Sequence, residues 1–158
     1  MSERFNIAHA SIDKIERSSF RMPKRHVTAF NVGELVPIHV QEVLPGDTFK
    51  VDTSLVARLT TPLKPTMDNL KLDYYYFFVP NRILWDNWIH FMGESKGAWY
   101  DDTQYQVPNR KLDTSYSFPV GSVADYFGIT PQYVSTNMNI ESIMTLPFRA
   151  YKKIVNDW

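Results

Sequence analysis

The sequence predicts a mainly β chain, with an antiparallel sheet in its first half and helical and loop-rich segments after it. Three observations predict this. Apolar residues alternate with period two through much of residues 34–79. Proline-containing turn signals, LPGD at 44–47 and TPLKP at 61–65, separate the alternating runs. Ten prolines stand against six glycines, and no helix-length apolar repeat runs through most of the chain, which argues against an all-helical bundle. At 158 residues the chain has the size of one domain.

The arm from Met1 to about Phe30 is only weakly periodic. Ala8, Ile12 and Ile15 suit a short amphipathic helix that Met22-Pro23 would stop. Two readings stay open: an arm ordered by contacts elsewhere, or a disordered terminus without a role. From Glu34 the alternation begins. In ELVPIHVQEVL, Val36, Ile38 and Val40 fall on one face and Pro37, His39 and Gln41 on the other. The clearest strand follows, TFKVDTSLVARLT at 48–60. It sets Phe49, Val51, Thr53, Leu55, Ala57 and Leu59 against Lys50, Asp52, Ser54 and Arg58. Leu70 to Val79 is the third strand, apolar on both faces at its far end and therefore central or sandwiched.

Beyond Pro80 the pattern turns helical. In NRILWDNWIHFM, Asn81 is placed to cap, and Leu84, Trp85, Trp88 and Phe91 make one apolar stripe that Gly93 ends. Residues 93–121 read as a polar loop region rich in aromatic residues. SVADYFG predicts a short helix capped by Ser122 and closed by Gly128. LPFRAYKKIVNDW predicts a final helix with Pro147 in its first turn and Phe148, Tyr151, Ile154, Val155 and Trp158 on one face.

The charge total is zero, yet the charge is segregated. Residues 1–33 carry +3, 34–102 carry −4 and 103–158 carry +1. Arg17, Arg21, Lys24 and Arg25 have no acidic neighbour between Glu16 and Glu34. They are the candidate nucleic-acid-binding residues, against the alternative of a merely solvated arm. Without cysteine there is no disulfide framework, thiolate metal site or thiol nucleophile, which suits a reducing compartment. The longest apolar or aromatic run, Tyr74–Pro80, is far short of the ~20 residues that span a bilayer. The first twenty residues lack an apolar signal core, so neither membrane insertion nor secretion by that route is expected.

The residue types of known chemistry do not converge. His9, His26, His39 and His90 lie at no ligand spacing, so no metal site is expected. Gly121-Ser122 lacks the second glycine of a nucleophile elbow, and Gly93 to Gly97 lacks the spacing of a phosphate loop. Asp101-Asp102 reads as an exposed acidic loop. No catalytic or cofactor-binding residue is assigned. The aromatic run at Tyr74–Phe78 with Trp85 and Trp88 has two readings: stacking platforms for bases or sugars, or packed core and subunit interface.

Three blocks carry a family resemblance: PGDTFKVD at 45–52, the aromatic strand into FVPNR at 78–82, and W-x-x-W-x-x-F-M at 85–92. LPFRAY at 146–151 with N-x-W at 156–158 adds a fourth. The chain from Phe30 onward resembles the major capsid proteins of microviruses, small icosahedral single-stranded DNA phages, and within them the gokushovirus branch. The resemblance implies an antiparallel viral jelly roll with long insertions. The chain then divides into a basic arm at 1–33, first strands at 34–80 and part of an insertion at 81–158. It further implies a structural protein that is not an enzyme, has no cofactor and works in the virion after assembly in the host cytoplasm. Its partners would be many copies of itself, packaged single-stranded DNA and other virion or assembly proteins. Family members are several times longer, so the expectation is an N-terminal portion that lacks the later strands. The alternative from residues alone is a β-sandwich binding module for carbohydrate or single-stranded nucleic acid. Trp99 and Tyr105 would be its stacking rings.

Overall fold

The computed structural model of the chain describes residues 16–94, 105–111, 118–129 and 142–158. Their regular structure is sparse: one two-stranded antiparallel sheet and four helices. Strand β1 (Asn109–Lys111) pairs with β2 (Ser142–Met144), with Asn109 facing Met144 and Lys111 facing Ser142. Thr145 extends this contact, because its N–H and its Oγ1 hydroxyl both donate to the Pro108 carbonyl at 2.9 Å. Strand β1 lies inside the stretch expected to be loop. Three residues are too few for an alternation to register, and only the partner strand defines the element.

The helices are α1 (Asn81–Leu84), α2 (Trp88–Phe91), α3 (Val123–Tyr126) and α4 (Leu146–Asp157). Helix α3 starts where Ser122 and Asp125 predict it. Ser122 Oγ accepts the Asp125 N–H at 3.3 Å, which satisfies one of the helix's orphan donors, and Asp125 Oδ2 accepts the N–H of Gly121, just before the cap, at 2.9 Å. Helix α4 carries Pro147 in its first turn, where a missing N–H leaves no bond unmade. The fully buried residues among those described are Ala124, Tyr126 and Leu146, at 5%, 8% and 6% exposure. Around them Phe127 packs edge-on against Phe148 (4.9 Å between ring centroids) and Tyr151 (6.4 Å). The core therefore sits where α3 meets the first turns of α4.

The helix expected over 81–92 is two helices, and its cap is not Asn81. Pro80 takes the N-cap position, without a side-chain bond. The break falls at Trp85, which is extended (φ −152°, ψ 116°). The physical reason lies in three rings. In a continuous helix, residues 85 and 91 would be about 9 Å apart along the axis and on different faces. Breaking the helix lets Trp85 reach Phe91 at 5.7 Å and Trp88 at 6.5 Å, with Trp88 and Phe91 also 5.7 Å apart. At the far end Gly93, at φ +104°, makes the left-handed turn that closes α2.

The three strands expected at 34–79 form no ladder among the described residues. One backbone–backbone hydrogen bond joins described residues of this stretch, from Asp47 N–H to the Leu44 carbonyl at 3.1 Å, and it belongs to the LPGD turn. The alternation itself is present in the side chains. Tyr74 meets Tyr76 edge-on at 4.8 Å, and Tyr75 lies 6.2 Å from Phe77, so residues two apart share a face. Thr53 Oγ1 bonds the Tyr76 hydroxyl at 2.5 Å, which brings the second and third segments together through side chains. Alternation is a property of one segment, whereas a ladder needs a second backbone about 4.8 Å away. These segments have the first without the second.

Candidate functional site

The arm does not stand clear of the chain. Arg17 Nη1 donates to the Gly46 carbonyl at 3.1 Å, and Lys24 Nζ donates to Gln41 Oε1 at 2.9 Å. Between them and the segment they touch is a turn at Asn31–Glu34, where Gly33 adopts φ +85°. Asn31 Nδ2 donates to Glu34 Oε1 at 3.1 Å across that turn. Residue 31 thus faces 34 and residue 24 faces 41, which is one constant antiparallel register. The same register sets His26 opposite His39, and the two are close enough for the charge of one to act on the other. Arg17–Gly46 lies two residues out of step, within the reach of an arginine. Residues 17–46 therefore form a two-legged ribbon tied by side chains.

All four predicted cations are exposed on this ribbon. Arg17 and Lys24 tie its legs together, while Arg21 and Arg25 make no hydrogen bond or ion pair with a described residue. The structure adds two residues that linear spacing missed, His26 and His39. Partial desolvation holds the His39 imidazole below its ordinary range, with the positive charges of Lys24 and His26 acting in the same direction. The signal that would have found the pair was present: N-V-G-E at 31–34 is a turn, and folding the sequence about it brings 26 to 39.

A second surface is aromatic. Trp158, at the end of α4, packs edge-on against Tyr75 (4.5 Å) and Phe77 (5.3 Å). Beside it an open apolar groove of about 250 Å³ is lined by Phe77, Phe78, Pro80, Ile83, Ile154 and Trp158. Two tyrosine hydroxyls anchor the helices to the start of the ribbon's second leg. Tyr151 donates to the Leu35 carbonyl at 2.7 Å, and Tyr126 reaches Glu34 Oε2 at 3.5 Å. Burial raises the Tyr126 phenol above its ordinary range, and the Glu34 and Asp125 carboxylates act the same way. Of the two rings named for a carbohydrate module, Tyr105 is among the described residues. Tyr105 stacks face to face on His90 at 5.3 Å, which occupies one of its faces, and Trp99 lies outside the described residues.

No group of three or more metal-ligating side chains occurs among the described residues, and no helix there is long and apolar enough to cross a membrane. The described surface thus offers an exposed ribbon of cations and an open run of aromatic rings. A sequence model of the capsid protein (F protein) family matches residues 8–158, and the chain belongs to that family. It is 39% identical over 142 residues to capsid protein VP1 of Bdellovibrio phage phiMH2K, covering 90% of this chain and 25% of that protein. Capsid protein VP1 of Spiroplasma virus 4 is 39% identical over 144 residues (91% and 25%). The same protein of Chlamydia phage 1 is 39% identical over 149 residues (91% and 24%). The microvirus resemblance read from the motifs is therefore correct. The chain spans about a quarter of the length of these relatives. No solved structure matches it.

Proposed function

We propose that this chain is part of the major capsid subunit of a small icosahedral single-stranded DNA phage, and that its work is assembly rather than catalysis. The observation that carries the reading is 39% identity, sustained over nine-tenths of the chain, to three proteins named capsid protein VP1. In this reading the alternating segments at 34–79 are the first strands of a viral jelly roll, and 81–158 is part of an insertion between its strands. Two features support it. The segments have strand-like alternation with backbone groups that no described neighbour pairs. None of the described residues from Glu16 to Val79 is buried either. Leu55, Leu63, Met67, Leu70 and Phe78 are among the exposed apolar residues that a shell of many copies would cover.

The arm residues Arg17, Arg21, Lys24 and Arg25 then meet the packaged DNA. Four such contacts would give log K against log salt a slope of about −3 on single strands. The protein would reside in the virion after assembling in the host cytoplasm. Sucrose-gradient sedimentation of an infected-cell lysate, blotted with an antibody against residues 34–60, tests the reading. The antigen is expected deep in the gradient together with nuclease-protected DNA. Antigen confined to the top of the gradient throughout particle production would overturn it.

A further inference from the structure

We infer that Lys24, His26 and His39 form a phosphate-binding site for single-stranded nucleic acid whose occupancy is controlled by protonation. The inference rests on the reading of the arm as the DNA-contacting element and deepens it, because it adds two residues and a control.

The geometry comes first. The turn at Asn31–Glu34 and the Lys24–Gln41 bond set residue 26 opposite residue 39 across the ribbon, and Lys24 and His26 are near enough for their charges to act on His39. Lys24 gives one of its three N–H groups to Gln41, which leaves two for a ligand. Gln41 itself is held, since its Nε2 donates to the Glu42 carbonyl at 3.0 Å. All three basic side chains sit on exposed residues, so a phosphate can reach them without opening the fold.

Among the described residues no carboxylate forms an ion pair with Lys24, His26 or His39. Lys24 and His26, both from the arm, are the groups whose charge acts on His39. The nearest acids along its own segment are Glu42 and Glu34, and Glu34 is engaged by Asn31 and Tyr126. Three like-signed groups without a counter-ion repel one another when charged, and an anion relieves that repulsion. With its imidazole lowered, His39 takes up its proton at a lower pH than an ordinary histidine. A bound phosphate favours the charged form, so binding takes up protons and tightens as the pH falls. One added cation, at His39, would steepen the log K–log salt slope on a single strand by about 0.7 and raise affinity by about fivefold at 0.1 M salt.

The test is binding of a labelled oligothymidylate to the chain between about pH 8 and about pH 5.5, a range that spans imidazole titration. The wild type is expected to bind about fivefold more tightly at the acid end, with a steeper salt slope there. His26→Gln with His39→Gln should keep the binding seen near pH 8 and lose the acid enhancement, while His90→Gln keeps both. Lys24→Met should weaken binding and shift the midpoint of the enhancement to higher pH, a change that a purely structural lysine would not produce. An acid enhancement that survives in the double histidine variant would overturn the site. Binding that is present yet flat with pH would overturn the site and leave the DNA-contacting arm intact, whereas absence of binding at any pH would overturn both. Equally tight binding of inorganic pyrophosphate with the same midpoint would make this a small-anion site and overturn its assignment to nucleic acid.

Discussion

From Asn109 to Trp158 the described residues close around buried side chains, whereas from Glu16 to Val79 none of them is buried. The two regions are similarly rich in apolar residues, so composition does not separate them. What separates them is where each finds its partners. Helix α3 satisfies its own caps and meets α4 within about 25 residues of chain, through Phe127, Phe148 and Tyr151. The segments at 34–79 have alternation, turns and one cross-segment contact, Thr53 to Tyr76, but their backbones are unmatched. Helices close locally; strands wait for a neighbour.

The sharpest way to break this comparison is to place a charge on the open region. Leu55 lies on the apolar side of the 48–60 alternation and is 47% exposed. Leu55→Asp should change the stability of the chain alone by no more than about 0.5 kcal/mol, as surface substitutions generally do. In a closed shell the same carboxylate would be buried without a partner, at a cost of several kcal/mol. Particle yield on a sucrose gradient should therefore collapse. Normal particles carrying Leu55→Asp would mean that this face stays open to solvent even in the assembly.

The second prediction moves to the closed region. Leu146 is buried at the start of α4, so Leu146→Ala should cost about 2–4 kcal/mol through lost transfer energy and a residual cavity. Hydrogen exchange along α4 should report it as faster opening of amides that Leu55→Asp leaves unchanged. If both variants speed α4 exchange equally, the two regions are one cooperative unit and the contrast fails.

This contrast also explains what could be read in advance. The start of α3 was legible because Ser122 and Asp125 are three apart and their bonds are local. The first turn of α4 was legible because Pro147 suits only a few positions. The break at Trp85 was not, since its cause is a contact between rings six residues apart that a continuous stripe conceals. Strand β1 was hidden because its partner is more than 30 residues away and only three residues long. The cations of the ribbon could be read from charge alone, but His39 joins them only when the chain is folded about Gly33. Local chemistry was visible, and register was not.

A third prediction addresses the hinge between the regions. The Tyr151 hydroxyl donates to the Leu35 carbonyl at 2.7 Å and ties α4 to the second leg of the ribbon. Tyr151→Phe keeps the ring against Phe127 and removes only that bond, worth about 1 kcal/mol. Cleavage of the ribbon by a nonspecific protease should rise by about fivefold while α4 exchange stays near the wild type. An unchanged cleavage rate would show that Tyr151 anchors through its ring alone.

The smallest effect is expected at Lys153, whose Nζ lies 2.9 Å from Asp157 Oδ2 on the exposed side of α4. Both side chains are about half exposed, so screening and side-chain entropy offset most of the attraction. The order is also the weaker one, with lysine N-terminal to the acid, and Asp157 adds negative charge at a helix end that is already negative. Lys153→Gln should thus alter α4 opening by no more than about 0.5 kcal/mol, read by the same exchange measurement. Both residues also border the apolar groove beside Trp158. A loss well above 1 kcal/mol would mean that the pair clamps that groove over Phe77 and Ile83, and would move the boundary of the closed region outward to include it.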